Sequence, residues 1–328
     1  MSGIAGYVRF WDRREGAESL ALVRIAVGLV LLFDLLQIAR LDLVRALWAP
    51  VEEGGMGPST HDAPLVQFYT WFGASSTSAY TLFGLALVSA LALTLGVASR
   101  LSALLLLSCS AQLSILAPNA DRGIDALLRN ALVLLACSGA GATWSLGARL
   151  VHGSFQRRVE IPAWPRYLLI GQLVLLYFWA GLLKQSPEWT GLGGYCALFR
   201  VLCTPHISRF EWSPALLSAL YPVLQAATIS TLAFERVALA VPLLLWLRSQ
   251  PQSGGALARF ARRYRLLELW VATGVLFHLA LAVLTKLGIF PWGCLALFPA
   301  LARPEQWRTW LSRPWRAERA RQVTLTAT

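Results

Sequence analysis

The stretch "LLIGQLVLLYFWAGLLK", residues 168–184, decides the fold of the chain. Its first sixteen residues are uncharged and mostly apolar, and a lysine follows them. An α-helix rises about 1.5 Å per residue, so about 20 apolar residues cross the hydrocarbon core of a bilayer. Residues 20–36, "LALVRIAVGLVLLFDLL", and residues 82–98, "LFGLALVSALALTLGVA", have the same character. The three stretches predict membrane-spanning helices.

The composition of the whole chain supports the same class of protein. Of its 328 residues, 56% are hydrophobic and only 14% are charged, and the mean hydropathy is +0.56. These values lie outside those of ordinary soluble domains. We predict an all-α fold, a polytopic integral membrane helical bundle with about eight crossings and short amphipathic segments at the interface. The predicted helices cover residues 19–39, 77–97, 101–117, 124–144, 166–186, 214–247, 266–285 and 288–303.

Two of these helices contain residues that are unusual in a membrane-spanning helix. Pro222 is predicted to divide the long 214–247 stretch into an in-plane lead-in and a crossing helix, because proline interrupts helical hydrogen bonding. The first helix contains Arg24 and Asp34, and no small-residue cleavage site follows it. We therefore expect it to be retained, and not removed as a signal peptide.

The basic residues predict the orientation in the membrane. The formal net charge is +12, and 19 of the 29 basic residues fall on the cytoplasmic side if the amino terminus is cytoplasmic. Such a bias follows the positive-inside rule. It predicts that both termini are cytoplasmic and that residues 40–76, 118–123 and 187–213 lie outside. Because the charges are spread among short segments, membrane lipid is the expected partner and nucleic acid is not.

The domain organisation follows from the same pattern. We predict one transmembrane domain over residues 1–305 and a basic cytoplasmic tail over residues 306–328. The tail fits either an amphipathic segment on anionic lipid or a stop-transfer anchor. The outer segments 40–76 and 187–213 are predicted to lie along the interface as short amphipathic pieces.

The sequence lacks the usual signatures of soluble enzymes and of metal sites. It contains no P-loop, no HExxH and no GxSxG motif, and its five cysteines show no CxxC spacing. His61, His152 and His206 fall in predicted loops and form no ligand cluster. We therefore predict no metal.

Ionisable residues inside apolar helices remain as the functional candidates, because they are expensive there. Lys184 is the strongest of these candidates, because the chain has 27 arginines and only two lysines. A desolvated lysine can lose its proton and act as a base, which arginine does not do. The alternative is that Lys184 extends to the outer interface, as lysines near helix ends do.

The other charged helix residues raise the question of their partners. Asp125 and Arg129 stand four apart, so we predict that they form a structural ion pair on one helix face. Glu235 lies within a predicted helix and requires a partner or a proton. Its neighbour Arg236 also requires a partner on another segment, as do Arg24 and Asp34. His278 is flanked by apolar residues and fits either a neutral side chain bonded to a neighbouring polar group or a functional residue.

Five stretches together carry a resemblance to a known family. They are residues 20–36, quoted above, "IDALLRNALVLLACSGAGATWSL" (124–146), "YFWAGLLKQSPEW" (177–189), "STLAFERVALAVPLLL" (230–245) and "FHLALAVLTKLGIFPWGCLALFPAL" (277–301). In this order and spacing the chain resembles the vitamin K-dependent gamma-carboxylase superfamily, in particular its bacterial horizontally transferred transmembrane (HTTM) domain proteins. The resemblance implies a location in the bacterial cytoplasmic (inner) membrane.

The resemblance also implies roles for single residues. Lys184 corresponds to the base that acts on reduced vitamin K, and His278 to a histidine that lines the same cavity. Glu235 stands where the carboxylase has an aspartate, and Asp125, Arg129 and Trp189 join it as candidate cofactor-binding residues. The implied cofactor is reduced vitamin K or another quinol.

The chain departs from the carboxylase at two points. Ile124 stands where the carboxylase has a histidine, and we expect no counterpart of the large lumenal domain that holds the substrate's propeptide. Three functions therefore stay open. They are a quinol-dependent carboxylase or oxidoreductase that modifies a substrate at the outer face, an accessory protein that helps to mature or export a secreted or membrane peptide, and a transporter. The absence of an inverted repeat argues against the transporter.

Overall fold

The computed structural model describes Val8 and residues 11–58, 67–249 and 255–311. His61, residues 59–66 of the first outer segment and residues 312–328 of the predicted tail lie outside the described residues. The chain forms two compact units, one from Met1–Leu169 with Ala296–Thr328 and one from Ile170–Leu295. Helices account for most of the described residues, which confirms the all-α prediction.

The first unit consists of helices and one two-stranded sheet. Its helices are α1 (Glu18–Arg40), α2 (Leu43–Trp48), α3 (Gln67–Phe72), α4 (Ser76–Leu95), α5 (Ser99–Leu116), α6 (Gly123–Ala136) and α7 (Leu146–His152), with 3-10 turns at Val51–Glu53, Pro118–Ala120 and Phe298–Leu301. Strand β1 (Arg14–Gly16) pairs antiparallel with β2 (Glu160–Pro162), with Glu15 opposite Ile161. Helix α4 packs against α1 and α5, and α5 packs against α6. The small sheet was not predicted from the sequence.

Arg24 holds the first unit together from the inside. Its side chain is fully buried and donates to the carbonyls of Leu93 at 2.5 Å, Thr94 at 2.8 Å, Trp144 at 2.6 Å and Ala140 at 3.3 Å. The last carbonyls of a helix have no partner within the helix, and a cation is favourable beside them. Arg24 therefore caps the end of α4 and fixes the turn that follows α6. The prediction that Arg24 finds its partners on other segments is confirmed.

The second unit contains the helices that carry the candidate site. Helix α8 (Trp164–Leu183) begins in the first unit, and α9 (Ala197–Cys203), α10 (Pro214–Arg236), α11 (Val241–Ser249), α12 (Ala256–Arg263), α13 (Leu266–Leu284) and α14 (Phe290–Leu295) follow, with 3-10 turns at Pro187–Trp189, Gly191–Gly193 and Val237–Ala240. Residues Ser208 and Thr285 form an antiparallel bridge. This bridge ties the segment before α10 to the end of α13.

Among the described residues, six helical segments are long and apolar enough to cross a membrane. They are Glu18–Arg40, Ser76–Leu95, Ser99–Leu116, Trp164–Leu183, Pro214–Ser249 and Leu266–Leu284. Each matches a predicted helix. The count of eight stays a prediction, because α6 ends at Ala136 and the last predicted crossing is a short apolar segment, Phe290–Leu301.

Two of the predicted helix boundaries are wrong. The helix predicted over 124–144 stops at Ala136, because Gly139 and Gly141 follow and the chain turns its carbonyls to Arg24. Pro222 does not divide the 214–247 stretch, since α10 continues through it. The regular helix is instead interrupted at Val237–Ala240, just before Pro242, which lacks the N–H that would bond the carbonyl of Ala238.

Candidate functional site

Lys184 and Glu235 form an ion pair in the second unit. Lys184 directly follows α8, and its Nζ lies 2.6 Å from Oε1 and 2.7 Å from Oε2 of Glu235. The Glu235 side chain is 4% exposed and the Lys184 side chain 23% exposed. A carboxylate this deeply buried is tolerated only with a partner. The sequence-based expectation that Glu235 requires a partner is therefore confirmed.

Gly181 allows the close approach that creates this pair. A Cβ atom at this position would lie 2.9 Å from Cβ of Glu235 and 3.1 Å from the backbone nitrogen of Arg236. Only glycine, which lacks a Cβ, permits that separation of the two backbones. Arg236 in turn donates from Nε to the carbonyl of Gly181 at 3.2 Å, so its expected partner is also found. Sequence analysis missed Gly181, although a glycine one turn before Lys184 was a usable signal.

Trp189 also contacts the amine of Lys184. The turn Pro187–Trp189 returns the chain, and Lys184 Nζ lies 5.1 Å from the centroid of the Trp189 ring. An ammonium within about 6 Å of an indole face is attracted by the negative potential of the ring. The amine thus contacts both a carboxylate and an aromatic face.

His278 lies in an aromatic cluster of the same unit. It is fully buried, and the Tyr177 hydroxyl lies 2.5 Å from its Nε2. The rings of Phe234 and Trp270 are stacked with centroids 4.8 Å apart. The expectation that His278 bonds a neighbouring polar group is confirmed. Tyr177 was not singled out from the sequence.

The spacing along α8 explains why these groups lie near one another. Tyr177 and Gly181 occupy positions i and i+4 of α8 and so share one face of the helix, and Lys184 follows three residues later, directly beyond the helix end. The same face meets Phe234 and Glu235 of α10, through the ring contact of Tyr177 and the close approach at Gly181. One helix face therefore positions both the Lys184–Glu235 pair and the Tyr177–His278 pair.

Asp125 and Arg129 lie in the first unit and do not pair, so the predicted i,i+4 ion pair is wrong. Asp125 is in the first turn of α6 and bonds back to the backbone N–H and guanidinium of Arg122, which also contacts Asp34 at 2.6 Å. Arg129 reaches back to Asp121 with two bonds of 2.7 Å. Backbone N–H groups at the start of a helix lack partners within the helix, so the Asp125 carboxylate bonds there and not to Arg129. The role of Asp125 and Arg129 in cofactor binding stays a prediction.

The observed ion pairs predict which of the two aspartates contributes more to stability. Asp121→Asn is expected to lower the free energy of unfolding by roughly 1–3 kcal/mol, because it leaves Arg129 without its carboxylate. Asp125→Asn is expected to cost less than about 1 kcal/mol, since the amide oxygen of asparagine can still accept from the backbone N–H of Arg122 and Arg122 keeps Asp34. Thermal unfolding of both variants in one detergent measures the difference. Equal losses would contradict the assignment of the two pairs.

The Asp121–Arg129 pair also predicts a dependence on pH. Hydrogen bonds from Arg129 lower the pKa of the Asp121 carboxyl below its ordinary value of about 3.9. A lowered pKa means that the stabilisation is fully present above the unfolded-state pKa and is lost as the pH falls through the folded-state pKa. The stability difference between wild type and Asp121→Asn should therefore be constant above about pH 5 and shrink below about pH 4.

Within the described residues, no three side chains of histidine, cysteine, aspartate or glutamate come together as metal ligands. A family model described as the HTTM domain matches residues 13–307. No curated protein and no solved structure matches the chain. The family match covers every residue of the Lys184 site and of the His278 cluster.

Proposed function

The chain belongs to the HTTM domain family, and from that premise we propose that it is a membrane enzyme of the gamma-carboxylase type in which Lys184 is the base. The substrate is modified at the outer membrane face, with a reduced quinone as cofactor. The observation that carries the proposal is the contact of Lys184 Nζ with both carboxylate oxygens of the buried Glu235.

The Lys184–Glu235 pair can hold a proton in two ways. With the proton on Nζ it is an ammonium and a carboxylate, and with the proton on Glu235 Oε it is an amine and a carboxylic acid. Both forms have the same net charge, and burial disfavours the charged one. In the neutral form, Nζ has a free lone pair and can accept a proton from a hydroxyl group. A base therefore becomes available without adding net charge to an apolar site.

The residues around Lys184 fit a reduced quinone. Such a molecule has a planar ring with two hydroxyl groups, so it needs hydrogen-bond acceptors and an apolar face. Lys184 and Glu235 supply the acceptors, and Trp189 supplies the face beside them. When bound, the quinol would supply two electrons and its hydroxyl protons. Tyr177 and His278 offer a second hydrogen-bonded pair that can orient groups in the aromatic part of the unit.

Quinone binding tests the proposal. Native mass spectrometry of the purified protein is expected to detect a bound quinone, and the protein is expected to oxidise an added quinol. Trp189→Leu should raise the KM for the quinol about tenfold, whereas Trp179→Leu should leave it unchanged. Trp179 lies on α8, before Lys184 in the chain, and is 57% exposed. Absence of both binding and oxidation would contradict the enzymatic function.

The same contact also fits a second candidate function. An ammonium held by both oxygens of a carboxylate is also what a purely structural pair would show. In that case the protein is a non-catalytic accessory protein for the maturation or export of a secreted peptide. The two functions differ in whether arginine can replace Lys184.

The proposed orientation places both termini in the cytoplasm and residues 187–213 outside. The loop before α13 carries five arginines and no acidic residue between residues 248 and 265, which supports a cytoplasmic position. A phosphatase reporter fused after Arg265 should be inactive, and the same reporter fused after Gly194 should be active. Activity of the first fusion would contradict the orientation.

A further inference from the structure

A basic cavity lies at one end of the second unit. It has a volume of about 370 Å³ and lies among α11, α12 and the first turn of α13. Three arginines (Arg248, Arg262 and Arg265), one glutamate (Glu268) and a few apolar or small side chains line it. None of these residues belongs to the Lys184 site.

The charges of the cavity select an anion. One arginine is offset by the glutamate, since Arg248 Nη1 lies 3.2 Å from Glu268 Oε1. The three arginines and one glutamate leave the lining with an excess of positive charge, and Arg262 also donates from Nη1 to the carbonyl of Leu247 at 3.3 Å. The adjacent segment 248–265 holds five arginines and no acidic residue, so it adds to the positive potential around the cavity. Guanidinium groups bind phosphate oxygens with two parallel hydrogen bonds.

Helix α12 has the form of an interfacial helix. Its small residues Ala258 and Ala261 are buried against the neighbouring helices, while Leu257 and Phe260 within the helix and Tyr264 just beyond its end are more than half exposed. The rings of Phe260 and Tyr264 lie 4.8 Å apart. Exposed aromatic residues next to arginines are typical of a helix that lies at the level of lipid headgroups.

The ends of two apolar spans place the cavity at the depth of the lipid headgroups. The apolar span Pro214–Ser249 ends beside it, and the span Leu266–Leu284 begins beside it. The cavity therefore lies where the hydrocarbon core meets water. The phosphate groups of a bilayer are found at that depth.

The geometry points to a binding site for the phosphate of an anionic phospholipid, with Arg262 and Arg265 as its ligands. An anionic headgroup matches the excess charge, and the acyl chains remain in the surrounding membrane beside Phe260 and Tyr264. Each arginine near an anionic surface contributes to lipid affinity, so two of them distinguish phosphatidylglycerol from phosphatidylcholine.

Native mass spectrometry of the full-length protein, delipidated in detergent, tests this assignment. Phosphatidylglycerol is titrated against phosphatidylcholine with identical acyl chains. The double variant Arg262→Gln/Arg265→Gln should bind phosphatidylglycerol at least about tenfold more weakly than wild type. The control Arg149→Gln/Arg158→Gln removes the same charge from the first unit and should keep wild-type affinity. Glu268→Gln, which removes the single negative charge of the lining, should bind about two to five times more tightly.

Three results would overturn the assignment. They are equal losses in both double variants, equal affinity of wild type for the two lipids, and a Glu268→Gln variant that binds more weakly. Inorganic phosphate is the remaining arm of the test. Complete competition by millimolar phosphate would show a site for a free anion and not for a lipid, and the lipid assignment would fail.

Discussion

Replacing Lys184 with arginine is expected to lower the rate of quinol oxidation by at least about a hundredfold while thermal stability stays near that of wild type. Arginine can keep the ion pair with Glu235, because its guanidinium also binds a carboxylate through two hydrogen bonds. It does not give up its proton and so cannot act as the base. The variant therefore separates the loss of the base from the loss of the ion pair. The rate of quinol oxidation reports the first and the melting temperature reports the second, both measured on one preparation.

Lys286 provides the matched control. It is the second of the two lysines in the chain, and it donates to the carbonyl of Pro205 at 3.0 Å. Lys286→Arg should keep full activity. Full activity of Lys184→Arg as well would end the catalytic interpretation, and the Lys184–Glu235 pair would be purely structural.

Replacing Arg24 with methionine is expected to lower the free energy of unfolding by about 4 kcal/mol or more. Four carbonyls would lose the bond that Arg24 donates, two in buried and two in part-buried positions, and the Leu93 carbonyl would keep its bond from Gly96 N–H. Each polar group that is left without a partner costs about 1–3 kcal/mol. Methionine retains most of the apolar volume, so the loss reports the hydrogen bonds. The melting temperature in one detergent and the yield of folded protein measure the effect.

Arg40 is the control for that variant, because it lies on the same helix and is exposed. Arg40→Met should change the free energy of unfolding by less than about 0.5 kcal/mol. If the two variants unfold at the same temperature, Arg24 does not hold the first unit together.

The membrane-spanning helices could be predicted from the sequence because one physical rule governs them. A run of about 20 apolar residues has few alternatives in a membrane protein, so the predicted bounds of α1, α4 and α13 agree with the structure to within about two residues. The same cost of burying charge singled out Lys184 and Glu235 one at a time. Their pairing lay beyond the sequence, since 51 residues separate them and only the close approach at Gly181 brings them together.

The wrong predictions share a cause, which is competition from outside the local pattern. Arg24 and two glycines end α6 early, although the apolar run continues past Ala136. The i,i+4 rule pointed to Asp125 and Arg129, but the unpaired N–H groups at the start of α6 attract the carboxylate of Asp125. Arg129 then pairs with Asp121, which lies before the helix and was assigned to a loop.

Restoring an amine at position 184 without lysine tests the central claim most directly. Lys184→Cys is made in a protein whose five native cysteines are replaced, and 2-bromoethylamine then converts the new thiol to an aminoethyl thioether of the same length as lysine. The cysteines to be replaced are Cys109, Cys137, Cys196, Cys203 and Cys294. The parent protein with Lys184 receives the same treatment as a control.

The measurement is the rate of quinol oxidation before and after the modification, with mass spectrometry to show that position 184 has reacted. We expect the Lys184→Cys protein to be inactive and the modified protein to recover activity to within about tenfold of the treated parent. Activity before modification, or no recovery after complete modification, would contradict the claim that Lys184 acts through its amine.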